Sequence, residues 1–206
     1  MSRIDSAFIA RKVAAAFVAL DHRASTVRTE HRFELEARRP DRFYVREYTW
    51  VSEEGTEKAP EVHSGKEKNG ARSHRLHGPV LVGPESERIA VIDLGRVLQE
   101  GDVETVELEH FFVCTKPRNP GFVGQVATDG CEQIILRAIL PGGAGRRVSF
   151  RSFKSGASES YLDEPLEPHE VGPLLTPLER VGDWSEYSRE IADPKPGDRY
   201  RITWDI

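Results

Sequence analysis

The strongest constraint on this chain is a run of strict two-residue alternation at 26–37, TVRTEHRFELEA. Val27, Thr29, His31, Phe33, Leu35 and Ala37 occupy one parity, and Arg28, Glu30, Arg32, Glu34 and Glu36 occupy the other. Successive side chains of a β-strand point to opposite faces, so this pattern predicts a strand with one buried and one watered face. The charged parity reads as a solvated face with cross-strand pairing.

The same reasoning carries along the chain. Pro40–Asp41 marks a turn, and RFYVREYTWV at 42–51 reads as a second strand with Tyr44, Tyr48 and Trp50 on one side and Phe43 and Val45 on the other. Strands are expected at 79–82, 88–94, 103–114, 122–127, 132–140, 146–154, 184–191 and 199–206. GRVLQEGD at 95–102 reads as a turn region. The 52–71 stretch, rich in Glu, Lys, Gly and Ser, reads as one long loop. Four prolines within 155–182 suit a connection with edge strands at most.

The opening segment, AFIARKVAAAFVAL at 7–20, differs. Phe8, Ile9, Val13, Ala16, Phe17 and Leu20 fit a helical stripe, which predicts an amphipathic helix at about 3–21. Arg11 and Lys12 interrupt it and it is short for a bilayer, so no membrane span is expected and a cytoplasmic protein is.

Eight to ten short strands without a repeated strand–helix unit predict a mainly β fold. The expected architecture is an antiparallel β-sandwich, jelly-roll or Ig-like, with a barrel as the alternative closure. Near its end, Gly197-Asp198-x-Tyr200 resembles the tyrosine corner of such sandwiches. One domain over 1–206 is expected, with 141–145 as the candidate division.

Net charge is −5 with a pI near 5.9, which argues against a nucleic-acid partner. The two cysteines set no disulfide framework. Cys114 falls on an apolar strand face, and Cys131, after Asp129–Gly130, reads as exposed.

Recognisable chemistry is sparse. Gly142-Gly-Ala-Gly145 lacks the Lys-Ser/Thr of a phosphate loop, and no Gly-x-Ser-x-Gly elbow occurs. His63-Ser64-Gly65 places a serine in a loop without a recognisable base and orienting acid. His74-x-x-His77 has no accompanying metal-ligand pattern, and the two side chains are expected to diverge. No metal or other cofactor is expected.

One local feature remains. Arg72-Ser-His-Arg-Leu-His77 is basic within an acidic chain, and Arg72, His74, Arg75 and His77 are the candidate residues for holding a phosphate or carboxylate. The tryptophans Trp50, Trp184 and Trp204 read as core.

These features favour a non-enzymatic binding module. The expectation is a regulatory, sensor or adaptor subunit of a larger bacterial system, acting through a protein partner, a second copy or a small ligand. A hydrolase with His and Asp/Glu converging from separate strands is the alternative. A self-assembling structural subunit is the third reading.

Overall fold

The computed structural model describes residues 6–49, 52–65, 73–82, 87–117, 121–142, 147–177 and 183–205. Trp50, Arg72 and the 143–145 part of the candidate division lie outside the described residues.

The alternating segment forms strand β2 (Thr26–Ala37), paired antiparallel on one side with β1 (Phe8–Ala19) and on the other with β9 (Val103–Pro117). Its odd residues face inward as the pattern requires, with Val27, Phe33, Leu35 and Ala37 buried. β1 also pairs in parallel with β11 (Gln133–Pro141), which pairs antiparallel with β14 (Trp184–Ala192). On the far side, β9 carries β4 (Ser52–Glu57) and the short β5 (Glu61–Val62). These strands make a seven-stranded sheet.

Two smaller sheets complete the fold. One joins β3 (Asp41–Thr49), β8 (Glu87–Leu98), β6 (Arg75–Leu76) and β7 (Leu81–Val82). The other runs β10 (Gly121–Val126), β15 (Arg199–Trp204), β12 (Val148–Phe153) and β13 (Leu162–Pro165). Among the described residues no sheet closes into a barrel, and the mainly β sandwich is confirmed.

Both small sheets pack on the inner face of the large one. Tyr44 of β3 meets Phe8 at 6.2 Å and Phe33 at 5.7 Å between ring centroids, while Trp204 of β15 meets Phe17 at 4.7 Å. Phe33, Phe112, Leu35, Ile134, Leu136 and Ile202 are fully buried. Each such side chain contributes about 2–3 kcal/mol of apolar burial.

Three expectations about elements need correction. The N-terminal helix does not form: residues 8–19 are a central strand, and no α-helix occurs among the described residues. From Ala16 to Ala19 this strand is buried on both faces, so it shows no alternation. The 52–71 stretch is not one loop, because β4 and β5 pair with β9 within it. Residues 95–98 continue β8, and the turn into β9 is confined to 99–102, where Gly101 adopts φ of 84°.

The tyrosine corner is present: Tyr200 Oη accepts a hydrogen bond from the Lys195 backbone N–H at 3.0 Å. Cys114 is buried as expected; Cys131 is buried too, against expectation, and both are free thiols. Trp204 is core and Trp184 packs against it, as expected. No helix among the described residues is long and apolar enough to cross a membrane.

Candidate functional site

The outer face of the seven-stranded sheet carries a groove of about 590 Å³. Its origin is local. The even residues of β1 face outward, and at Ala14 and Ala16 the side chain ends at Cβ. The neighbouring strands carry longer side chains in register: Ala14 lies between Ile135 and Arg32, and Ala16 between Arg137 and Glu30. A central strand of small residues between strands of large ones leaves a trough. It runs along β1 from Lys12 to Ala16, about 13 Å at the rise of a strand.

One end of the trough is open. There Lys12 Nζ pairs with Glu34 at 3.2 Å, and the more exposed Arg32 reaches Glu107 at 3.7 Å. The other end is closed by Pro173, Leu174 and Leu175, which belong to a strap at 171–177 lying across the sheet. Beneath the strap, Val171 and Leu174 cover Ala16, Val18 and Ile139 in a second apolar cluster.

Two ion pairs fasten the strap. Arg137 and Glu186 bond through two N–H···O contacts of 2.8 and 2.7 Å. Arg137 Nη1 also donates to Pro173 O at 2.7 Å, and the Gly172 N–H donates to Glu186 at 3.0 Å. Burial pushes the Glu186 carboxyl up, but the Arg137 hydrogen bond and charge and the Gly172 amide hold it below its ordinary value. The second pair is Arg28–Glu30 at 3.0 Å, with Glu109 Oε2 3.6 Å from Arg28 Nε. Arg28 donates to Thr176 O, and Glu30 Oε2 accepts the Leu175 N–H at 2.9 Å.

Arg28 and Glu30 therefore correct the expectation of a fully solvated charged face, being only 4% and 6% exposed. Alternation told which face they occupy. It carried no information about the strap, which comes from nearly 150 residues away in the chain.

The basic stretch around β6 is divided by its geometry. His74 is 2% exposed and points inward, whereas Arg75 and His77 are exposed. Arg75 binds Asp93 at 3.1 Å. Arg42 binds the same carboxylate at 2.7 and 2.9 Å. The Arg42 hydrogen bond is the largest influence, and despite burial it holds Asp93 far below the ordinary carboxylate range. His77 lies against the Phe43 ring at 4.8 Å. The structure thus brings Arg75 together with Arg42 and Asp93 rather than with His74. Divergence of His74 and His77 is as expected, and no group of three or more His, Cys, Asp or Glu suited to a metal occurs among the described residues.

Ser64 does meet a histidine. Its Oγ lies 2.9 Å from His74 Nδ1, with Glu104 3.9 Å from His74 Nε2. The serine oxygen also accepts the Glu107 N–H at 2.9 Å. Ser64 and His74 are both buried, and a Cβ placed on Gly65 would fall 2.4 Å from the imidazole. This network pins the 62–65 segment to β9.

No protein-family model and no curated protein matches the chain. Among solved structures it is similar to a mutant of the M1 zinc metallopeptidase from Deinococcus radiodurans. The TM-score is 0.51 at 11% identity, covering 95% of this chain and 42% of that one. It is also similar to a two-domain M1 zinc metallopeptidase mutant bound to L-tryptophan, with TM-score 0.50 at 10% identity over 96% of this chain and 43% of that one. The chain spans less than half the length of these proteins. At such identities the likeness establishes a shared fold alone.

Proposed function

We propose that this chain is a binding module, a regulatory or adaptor unit whose groove over Ala14 and Ala16 receives an extended segment of a protein partner. The observation that carries the reading is the groove itself. Its floor is apolar at Ala14 and Ile135, and its rim places Lys12, Arg32 and Glu34 around that floor. Its volume falls in the range of ligand-binding clefts, roughly 300–1,000 Å³. A trough of about 13 Å suits about four extended residues. One aliphatic side chain would seat between Ala14 and Ile135, with the segment's own charges or amides meeting the rim.

The strap supports the same reading. It closes one end with backbone groups already hydrogen-bonded to ion pairs, so the groove is formed before an occupant arrives, which lowers the entropic cost of binding. Two free thiols suit a reducing compartment, and we place the protein in the cytoplasm. The hydrolase alternative is not better supported: His74 and Glu104 do approach to 3.9 Å, but the imidazole is buried and already bonded to Ser64.

Panning a displayed random-peptide library against the wild type tests the proposal. Expected are peptides with a shared aliphatic anchor whose affinity falls at least about tenfold on Ala14→Arg, a variant that fills the trough, at unchanged melting temperature. No recoverable peptide, or peptides indifferent to Ala14→Arg, would overturn it. Concentration-dependent dimerisation abolished by the same change would identify a second copy as the occupant instead.

A further inference from the structure

The opposite face of the same sheet holds a cation without an anion. Arg46, on β3, projects toward the large sheet, its guanidinium 5.0 Å from the centre of the Phe33 ring. The described arginines that are buried or strap-bound all have acceptors: Arg28 and Arg137 hold carboxylates and strap carbonyls, and Arg88 holds Glu57 at 2.9 Å. Arg46 donates no hydrogen bond and forms no ion pair, among the described residues. An uncompensated charge away from water is costly, and folded proteins supply such a charge with a partner.

The ring groups nearest to it are neutral. His31 lies parallel to Phe33 at 5.9 Å on the same strand face, and its Nδ1 is buried with no hydrogen-bond partner. On the next strand, His110 Nε2 bonds to Tyr48 Oη at 3.2 Å. Tyr44 packs at a tilt against Phe33 from the β3 side. The charges near this group are Glu47, beside Arg46 in sequence, and Glu57, paired with Arg88. Burial first, and the Arg46 charge second, lower both histidines, so each is neutral near pH 7. Arg46 and His31 each keep part of the side chain at the surface, while the Nδ1 of His31 is itself buried, so an anion would approach from the Arg46 side.

We propose that Arg46 and the Nδ1–H of His31 form a binding site for a small oxyanion, a carboxylate or a phosphate group, between β2, β3 and β9. Arg46 supplies a planar fork of donors whose geometry matches two acceptor oxygens, and with the ring of Phe33 beneath it those donors keep their edge free. In the tautomer that carries its proton on Nδ1, His31 supplies a further donor at an atom that has no hydrogen-bond partner. The site lies on the inner side of the sheet from the Ala14 groove and stands independently of it.

The test uses the intact chain with sodium sulfate, sodium phosphate and sodium acetate, each against sodium chloride at equal ionic strength. Expected is a melting-temperature rise of several degrees with at least one oxyanion, saturating with concentration, and absent in Arg46→Met. Phosphate or sulfate acting alone assigns a phosphate-type ligand, and acetate acting alone a carboxylate. Equal shifts with all four salts, or equal shifts in wild type and Arg46→Met, would overturn the proposal. A second readout needs only the wild type: the NMR titration midpoint of the His110 ring moves upward when the active anion offsets the Arg46 charge. An unmoved midpoint under saturating anion would also overturn it.

Discussion

Arg137 on β11 and Glu186 on β14 form a doubly hydrogen-bonded ion pair, and each partner uses a remaining bonding site to hold one strand of backbone, at Pro173 and Gly172. A contact between two neighbouring strands thereby fixes a segment that belongs to neither. The strap is held across the sheet by this pair together with the apolar contacts of Val171 and Leu174.

Arg137→Met removes one partner and leaves a largely buried carboxylate. The expected loss is about 3 kcal/mol, read by urea unfolding. Amide exchange at 171–177 should accelerate more than in β2 or β9. Uniform acceleration, or none at the strap, would show that the strap is held by apolar contacts alone.

His110 makes stability depend on pH. Burial, then the Arg46 charge, lowers its imidazole from the ordinary value near 6.5 to about 4. The unfolded chain therefore binds a proton that the folded chain refuses. Its contribution is fully present above pH 6.5 and is lost as pH falls toward 4, by roughly 3 kcal/mol across that window. Urea unfolding at pH 7 and pH 4.5 measures the slope, and His110→Phe should reduce it, leaving the part that His31 contributes. A folded-state midpoint near 6.5 by NMR would refute this.

Asp21 acts in the same direction lower on the scale. Burial raises its carboxyl, but hydrogen bonds from the Ser25 hydroxyl and from the backbone N–H groups of Ser25, Thr26 and Arg23 outweigh it and bring it to about 2. These bonds hold the β1–β2 turn, where Ala24 sits at a φ of 50°. Because the folded value is depressed, the stabilisation is present above pH 4 and disappears between 4 and 2. With solvent screening discounted it amounts to about 1 kcal/mol. Asp21→Asn should lose it at neutral pH and flatten the acid limb of the unfolding curve.

Tyr200→Phe tests the corner before β15. The hydroxyl accepts the Lys195 N–H, and Tyr200 is 5% exposed. Its removal strands that amide, at an expected cost of about 1–3 kcal/mol with the ring packing intact. A neutral substitution would mean that water replaces the phenol.

Local pattern decided much of this protein. Alternation at 26–37 identified β2 and the faces of its side chains, because a strand with one covered face records that asymmetry in every residue. Turn chemistry before β15 and the apolar run of β11 were legible for similar local reasons. Residues 8–19 were not. The second half of this strand, roofed by the strap at Ala16 and Val18 and floored by Trp204 against Phe17, has no watered side to mark, and an alanine-rich apolar run fits a helical stripe equally well. Only its pairing with β2 on one side and β11 on the other, more than a hundred residues away, decided between the two. That same pairing placed Ile135 beside Ala14 and made the groove. Burial of Arg28 and Glu30 and the isolation of Arg46 arise in the same way, from segments distant in sequence, and so belong to the tertiary structure alone.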